Sequence, residues 1–99
     1  MPRNNELHPQ STLIQQLAEF IKTKATTQNI STQNIADIIK RAYSYTYNRI
    51  HGKAAFSLDD LNEIAPLLGY KNIFDFMREF EKHIKYNTIK HKTDNQTKK

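Results

Sequence analysis

The stretch AYSYTYNRIHGK, residues 42–53, decides the fold predicted for this chain. Tyr43, Tyr45 and Tyr47 recur at every second position, which is the spacing of a β-strand rich in aromatic residues. No second strand-like run of similar length is present, and an unpaired strand leaves its backbone polar groups unsatisfied. We therefore predict a helix, with a strand as the alternative that the local pattern leaves open.

The wider window of residues 38–56 is basic and contains no Asp or Glu. Its cationic side chains are Lys40, Arg41, Arg49 and Lys53. A positive window without acids is typical of a surface that faces the phosphates of a nucleic acid. We interpret the tyrosine-rich segment as a DNA-recognition helix that buries Thr46 and Ile50, which lie one turn apart. Its exposed face then carries Tyr43, Ser44, Tyr47 and Asn48.

The composition indicates one small domain. The chain has 99 residues, 37% of them hydrophobic, no cysteine and a net charge of +5. The absence of cysteine excludes disulfides, thiol catalysis and cysteine-ligated zinc, and no apolar run is long enough to span a bilayer or to act as a signal. We therefore expect a cytoplasmic protein, whose basicity indicates either a polyanionic partner or a solubilising lysine-rich tail.

Two amphipathic segments precede the tyrosine-rich stretch. The first helix is predicted to begin near Ser11 and to weaken from Thr23 to Asn29, where threonines and amides favour a turn. Its apolar stripe consists of Leu13, Ile14, Leu17, Phe20 and Ile21. A second helix of about two turns follows the N-cap Ser31. The inner side of this helix carries Ile35, Ala36 and Ile39.

Two more helices are predicted after Gly52. Ser57 caps a fourth helix, which ends at Gly69 and is expected to bury Leu58, Leu61, Ile64, Ala65 and Leu68. Asn72 caps a fifth helix with the apolar series Ile73, Phe74, Phe76, Met77, Phe80 and Ile84. The sequence therefore predicts a disordered arm at residues 1–10, a helical domain at 11–86 and a basic disordered tail at 87–99.

The order of these segments resembles the lambda-repressor-like helix-turn-helix family, also called the Cro or XRE family, in the form seen in phage immunity repressors. The resemblance covers about residues 13–77. Its most specific parts are Arg-Ile-x-Gly-Lys at 49–53, Ser-Leu-Asp-Asp-Leu at 57–61 and Leu-Gly at 68–69. It implies an all-α, five-helix domain that binds double-stranded DNA, usually as a homodimer on a palindromic operator.

The resemblance also implies roles for individual residues. Base edges would be read by Tyr43, Ser44, Tyr47 and Asn48. Phosphates would be held by Thr32, Gln33, Arg41, Arg49, His51 and Lys53. The Asn48 amide can form paired hydrogen bonds with adenine, and no arginine stands at the start of the helix for guanine. We therefore expect an operator with A·T-rich positions.

The turn departs from the family pattern, which has glycine, an apolar residue and then Ser or Thr where this chain has Lys40, Arg41 and Ala42. A left-handed residue other than glycine costs about 1 kcal/mol or more. We therefore expect the second helix to run on by one residue, with Ala42 or Tyr43 taking over the core position.

No catalytic constellation is present in the sequence. The four histidines are scattered, two glycines cannot form a phosphate-binding loop, and Asp59 and Asp60 are explained by the start of a helix. We predict a transcriptional repressor that occludes its operator and needs no enzyme activity, cofactor, metal or small-molecule ligand. Its dimer face would consist of Phe74, Met77, Phe80 and Ile84. The alternative is a protein-interaction module, such as an antitoxin or a regulatory partner subunit, that uses the aromatic last helix.

Overall fold

The structure is a computed structural model that describes the backbone of residues 12–97 and the side chains of residues 12–85. The described chain is all-helical: α1 Thr12–Thr27, α2 Thr32–Ile39, α3 Tyr43–Ile50, α4 Leu58–Leu67 and α5 Ile73–Thr97. This confirms the predicted five-helix fold. The strand alternative for the tyrosine-rich stretch is wrong, since that stretch forms α3. The predicted arm at residues 1–10 lies outside the described residues.

All five helices contribute to one hydrophobic core. Its members are Phe20, Ile21 and Ala25 of α1, Ile35 and Ile39 of α2, Ile50 of α3, Leu61, Ile64 and Ala65 of α4, and Phe76 and Phe80 of α5, with Phe56 and Leu68 from the connections. The Phe20 ring centroid lies 5.6 Å from that of Phe76 and 5.4 Å from that of Phe80. These aromatic contacts join the first and last helices, and α3 joins the same core through Ile50.

Three predicted N-caps are confirmed. Ser31 accepts a hydrogen bond from the backbone of Asn34 at 3.0 Å, and the Asn34 side chain accepts one in return from the Ser31 backbone. Ser57 and Asp60 form the same reciprocal pair at the start of α4. The Asn72 side chain accepts a hydrogen bond from the Asp75 backbone at 2.9 Å. Each cap satisfies amides that a helix start would otherwise leave unpaired, at about 1 kcal/mol per cap.

Three details of the predicted helices are wrong. The first helix does not weaken at Thr23 but continues to Thr27, because Ala25 in its last turns is buried against the core. Leu13 and Leu58 were expected in the core but are exposed. Both lie in the first turn of their helices, where apolar periodicity alone does not show whether another element covers the side chain.

The last helix is longer than predicted. Its backbone remains helical through Thr97, beyond the boundary at Tyr86 and into the segment expected to be a disordered tail. No glycine or proline follows Gly69, so the sequence contains no residue that would stop the helix after its apolar series ends. None of the described helices is both long enough and apolar enough to cross a membrane.

Candidate nucleic-acid interface

The turn between α2 and α3 consists of residues 40–42, the three-residue connection that the sequence predicts. Lys40 adopts the left-handed conformation, with φ 60° and ψ 45°. The Arg41 amide donates to the Ala36 carbonyl at 3.0 Å and the Lys40 amide donates to that of Asp37 at 3.3 Å, which is the Schellman pattern of helix termination. The prediction that α2 runs on by one residue is therefore wrong: the chain makes the turn without glycine.

The register of α3 follows from its two buried residues. Thr46 and Ile50 are buried, as predicted, and the Thr46 hydroxyl donates to the Ala42 carbonyl at 3.2 Å. Ala42 occupies the N-cap position without a side-chain hydrogen bond. Ala42 and Tyr43 are both exposed, so the prediction that one of them takes over a core position is wrong.

The outer face of α3 presents the four predicted base-reading side chains to solvent. They are Tyr43, Ser44, Tyr47 and Asn48, all of them exposed. The Tyr43 and Tyr47 ring centroids lie 6.0 Å apart, and the Tyr47 ring stacks on that of His51 at 4.0 Å with an interplanar angle of 27°. We call Tyr43, Tyr47 and His51 the aromatic column. It gives this face a continuous surface of rings beside a serine and an amide.

One ammonium group and one imidazole nitrogen lie beside Tyr47 at the end of the aromatic column. The Lys53 ammonium lies 5.9 Å from the centroid of the Tyr47 ring. His51 Nδ1 lies 2.8 Å from the Tyr47 carbonyl oxygen, a contact in which a protonated Nδ1 donates and Nε2 remains on the opposite edge of the ring. Two of the predicted phosphate contacts, His51 and Lys53, are thus brought to the same end of α3 as Tyr47.

A polar cluster on another side of α3, beside the buried Thr46, joins this helix to α4. We call Arg41, Tyr45, Arg49 and Asp60 the anchor cluster. The Tyr45 hydroxyl donates to Asp60 Oδ2 at 2.5 Å, and Arg41 Nε lies 3.4 Å from Asp60 Oδ1. Two guanidinium groups lie close to the Tyr45 ring: that of Arg49 is 3.5 Å and that of Arg41 is 4.7 Å from its centroid. Asp60 is only 2% exposed, so this carboxylate depends on its partners for solvation.

The electrostatics of the anchor cluster fix the protonation states of its two central groups. Burial raises the pKa of Asp60, but hydrogen bonds from Tyr45 and Ser57 and the charge of Arg41 outweigh it and hold that pKa below its usual value. The hydrogen bond to Asp60 raises the pKa of Tyr45, and burial adds to the effect. At neutral pH Asp60 is therefore a carboxylate and Tyr45 a neutral donor.

Arg49 is used inside the protein to a degree that the sequence did not predict. Its Nε donates to the Ala55 carbonyl at 3.0 Å and its Nη1 donates to the Tyr45 carbonyl at 3.1 Å. These bonds hold the loop after α3 against the helix and direct part of the guanidinium away from solvent. Arg49 as a phosphate contact remains a prediction, and it competes with this internal role.

The other predicted phosphate contacts lie at the two ends of α2. Thr32 is half-buried and Gln33 is exposed in the first turn, where the Gln33 side chain donates to Asp37 at 2.8 Å. Arg41 lies in the turn after α2, and its side chain is half-exposed while paired with Asp60. The candidate phosphate contacts of the helix-turn-helix therefore lie at the start of α2, in the turn after α2 and at the end of α3.

The predicted dimer face requires one correction. Phe80 is 3% exposed and packs on Phe20 in the core, so it is not available to a second chain. It lies one turn after the buried Phe76, and this row of the helix faces α1. Phe74 is 71% exposed, Met77 is also exposed and Ile84 is half-buried. Of the four predicted dimer contacts, Phe74 and Met77 in the first turns of α5 are thus the exposed ones.

The comparisons with known proteins bear on the fold alone. No family model and no curated protein matches the chain. Among solved structures, the chain is similar to the clp gene regulator ClgR from Corynebacterium glutamicum, with a TM-score of 0.68, 14% sequence identity and coverage of 88% of this chain and 92% of that one. The similarity extends over nearly all of both chains, so the five-helix arrangement around the helix-turn-helix is shared with that protein.

Proposed function

We propose that this chain is a sequence-specific DNA-binding transcriptional regulator that uses α3 as its recognition helix. The observation that carries the proposal is the division of α3: Thr46 and Ile50 bury its inner side, while Tyr47, Asn48 and their neighbours are exposed within a window that has no acid. The similarity to a protein described as a gene regulator supports the same function. Binding to DNA agrees with the cytoplasmic location predicted from the sequence.

Each side chain of the outer face has a suitable partner in the major groove. The Asn48 amide can pair with N6 and N7 of adenine, whereas the Tyr43 and Tyr47 rings can lie against thymine methyl groups. Ser44 can donate to or accept from a base edge. Lys53, His51, Arg41, Thr32 and Gln33 would contact the phosphates on either side, which sets the register of the helix without adding sequence information.

We further propose that the regulator is a repressor and binds a palindromic operator as a homodimer. Occupation of a promoter by a bound protein blocks transcription without any catalytic step. The exposed Phe74 and Met77 are the candidate dimer contacts. They lie on a helix that also carries the exposed ion pairs of Glu79 with Lys82 and of Glu81 with Lys85.

The test is selection of bound duplexes from a random library, followed by measurement with the substitution Asn48→Ala. We expect a palindromic motif and a loss of about tenfold or more in affinity for the selected duplex, because a paired amide contact is removed. Asn62→Ala is the matched control, since it removes an exposed amide from α4. No enrichment of any sequence, or equal losses in the two variants, would contradict sequence-specific recognition by α3.

The second candidate function is a protein-interaction module on the same fold, such as an antitoxin or a regulatory partner subunit. It is favoured by the exposure of Phe74 and Met77 on α5. The salt dependence of duplex binding separates the two functions. A DNA-binding regulator loses affinity steeply as salt rises, because its cations release counterions from the phosphates. An interaction module would show no duplex binding even at low salt and would retain partner binding in Asn48→Ala.

A further inference from the structure

Among the residues that the structure describes, Asp60 is the one charged residue that is buried. Its Oδ2 accepts hydrogen bonds from the Tyr45 hydroxyl at 2.5 Å and from the Ser57 backbone at 3.2 Å, while Oδ1 faces Arg41. A helix cap alone requires only the contact with Ser57, and an exposed acid would provide it. Asp60 is instead buried where it can also bind α3 and the turn before it, which a capping role does not explain.

This link connects two helices that do not otherwise lie side by side. Within the described residues, the backbone of α3 is close to α1 and α2, whereas that of α4 is close to α2 and α5. Tyr45 and Asp60 therefore form a polar bridge across the gap between α3 and α4. Arg49, one turn after Tyr45, stacks on the Tyr45 ring and holds it in the orientation that reaches Asp60.

Tyr45 lies on the opposite side of α3 from Tyr43 and Tyr47 of the outer face, and about 60° around the axis from Asn48. Successive residues are about 100° apart around a helix, so Tyr45 is about 160° from both Tyr43 and Tyr47. A bridge at this position restrains rotation of α3 about its own axis. A rotation of about 20° would displace a side-chain tip some 6 Å from the axis by about 2 Å, which exceeds the tolerance of a paired hydrogen bond.

We propose that Tyr45 and Asp60 are positioning residues: the bridge between them fixes the rotation of α3 and so directs Asn48 and Tyr47 at the bases. This inference rests on the proposed DNA-binding function. It assigns sequence discrimination, rather than overall affinity, to two residues that do not contact DNA. Phosphate contacts tolerate a small rotation because they come from long cationic side chains, whereas a paired contact with a base edge does not.

The test compares Tyr45→Phe and Asp60→Asn with two matched controls. Tyr70→Phe removes a hydroxyl from a tyrosine that packs on Phe76 in another part of the core, and Asp59→Asn removes the same charge from the neighbouring exposed position. The measured quantity is the ratio of affinities for the selected duplex and an unrelated duplex, at a temperature where thermal unfolding shows every variant folded. We expect this ratio to fall about tenfold in Tyr45→Phe and Asp60→Asn, with the salt dependence unchanged, and to stay near the wild-type value in the controls.

Three results would overturn the positioning role. The ratio of affinities for the selected and the unrelated duplex could match that of the controls in both folded variants. The affinities for the two duplexes could also fall by the same factor, as expected of a residue that only stabilises the fold. Failure of both variants to fold at any assay temperature would likewise assign the bridge to stability alone. Absence of duplex binding by the wild-type protein at low salt is a different outcome: it rejects the proposed function, and the positioning role with it.

Discussion

Tyr45 and Tyr47 are two residues apart on one helix and have opposite environments. The Tyr45 hydroxyl donates to a buried carboxylate, and its ring contacts two guanidinium groups. Tyr47 is 39% exposed, and its ring contacts are with Tyr43, His51 and the Lys53 ammonium at the surface. The same residue type thus holds the helix in place on one side and offers a surface on the other. A residue's position around the helix axis, rather than its residue type, decides here whether its side chain is held inside the protein or presented at the surface.

The largest effect on stability is expected from removing Asp60, the carboxylate of the anchor cluster. Asp60→Ala deletes the acceptor for Tyr45, the partner of Arg41 and half of the capping box of α4. We expect the free energy of unfolding to fall by about 2 to 3 kcal/mol, as the sum of a lost cap and a lost charged hydrogen bond. Urea denaturation at neutral pH measures it. Asp59→Ala should cause a much smaller loss, and equal losses would show that the bridge adds nothing beyond an ordinary helix start.

Lowering the pH should reduce the stability that the anchor cluster contributes, without any mutation. The pKa of Asp60 is lower in the folded protein than in the unfolded chain, so its contribution to stability is fully present above the unfolded value of about 3.9. That contribution is lost as pH falls through the lower, folded pKa. The stability difference between wild type and Asp60→Asn should therefore shrink from pH 6 toward pH 2 in urea titrations. A constant difference over that range would mean that the ionised form is not the stabilising one.

Much of this molecule could be predicted from local patterns. Ser31, Ser57 and Asn72 were identified as caps because a hydroxyl or amide precedes an apolar series, and the structure confirms all three. The inward direction of Thr46 and Ile50 followed from helical spacing. These features depend on neighbours within about one turn, and such short-range geometry is what sequence periodicity encodes.

The features that could not be predicted depend on distant residues or on small energy differences. Tyr45 and Asp60 are 15 positions apart, and Asp60 had a sufficient local explanation as a cap, so no sequence signal pointed to their contact. Lys40 shows the second kind of difficulty. A left-handed lysine costs about 1 kcal/mol, which the bonds that terminate α2 and the packing of α3 offset in the folded protein. The strain was recognised from the sequence, but its outcome depended on contacts formed elsewhere.

The smallest effect gives the sharpest comparison of the two sides of α3. Tyr45→Phe and Tyr47→Phe each delete one hydroxyl from the same helix and leave the ring in place. Tyr45→Phe removes a donor from a buried carboxylate, so we expect the free energy of unfolding to fall by about 1 kcal/mol. Tyr47→Phe should leave the unfolding midpoint almost unchanged, since its ring contacts remain. Paired urea titrations measure both, and the reverse order of effects would show that the outer face, not the anchor cluster, holds α3 in place.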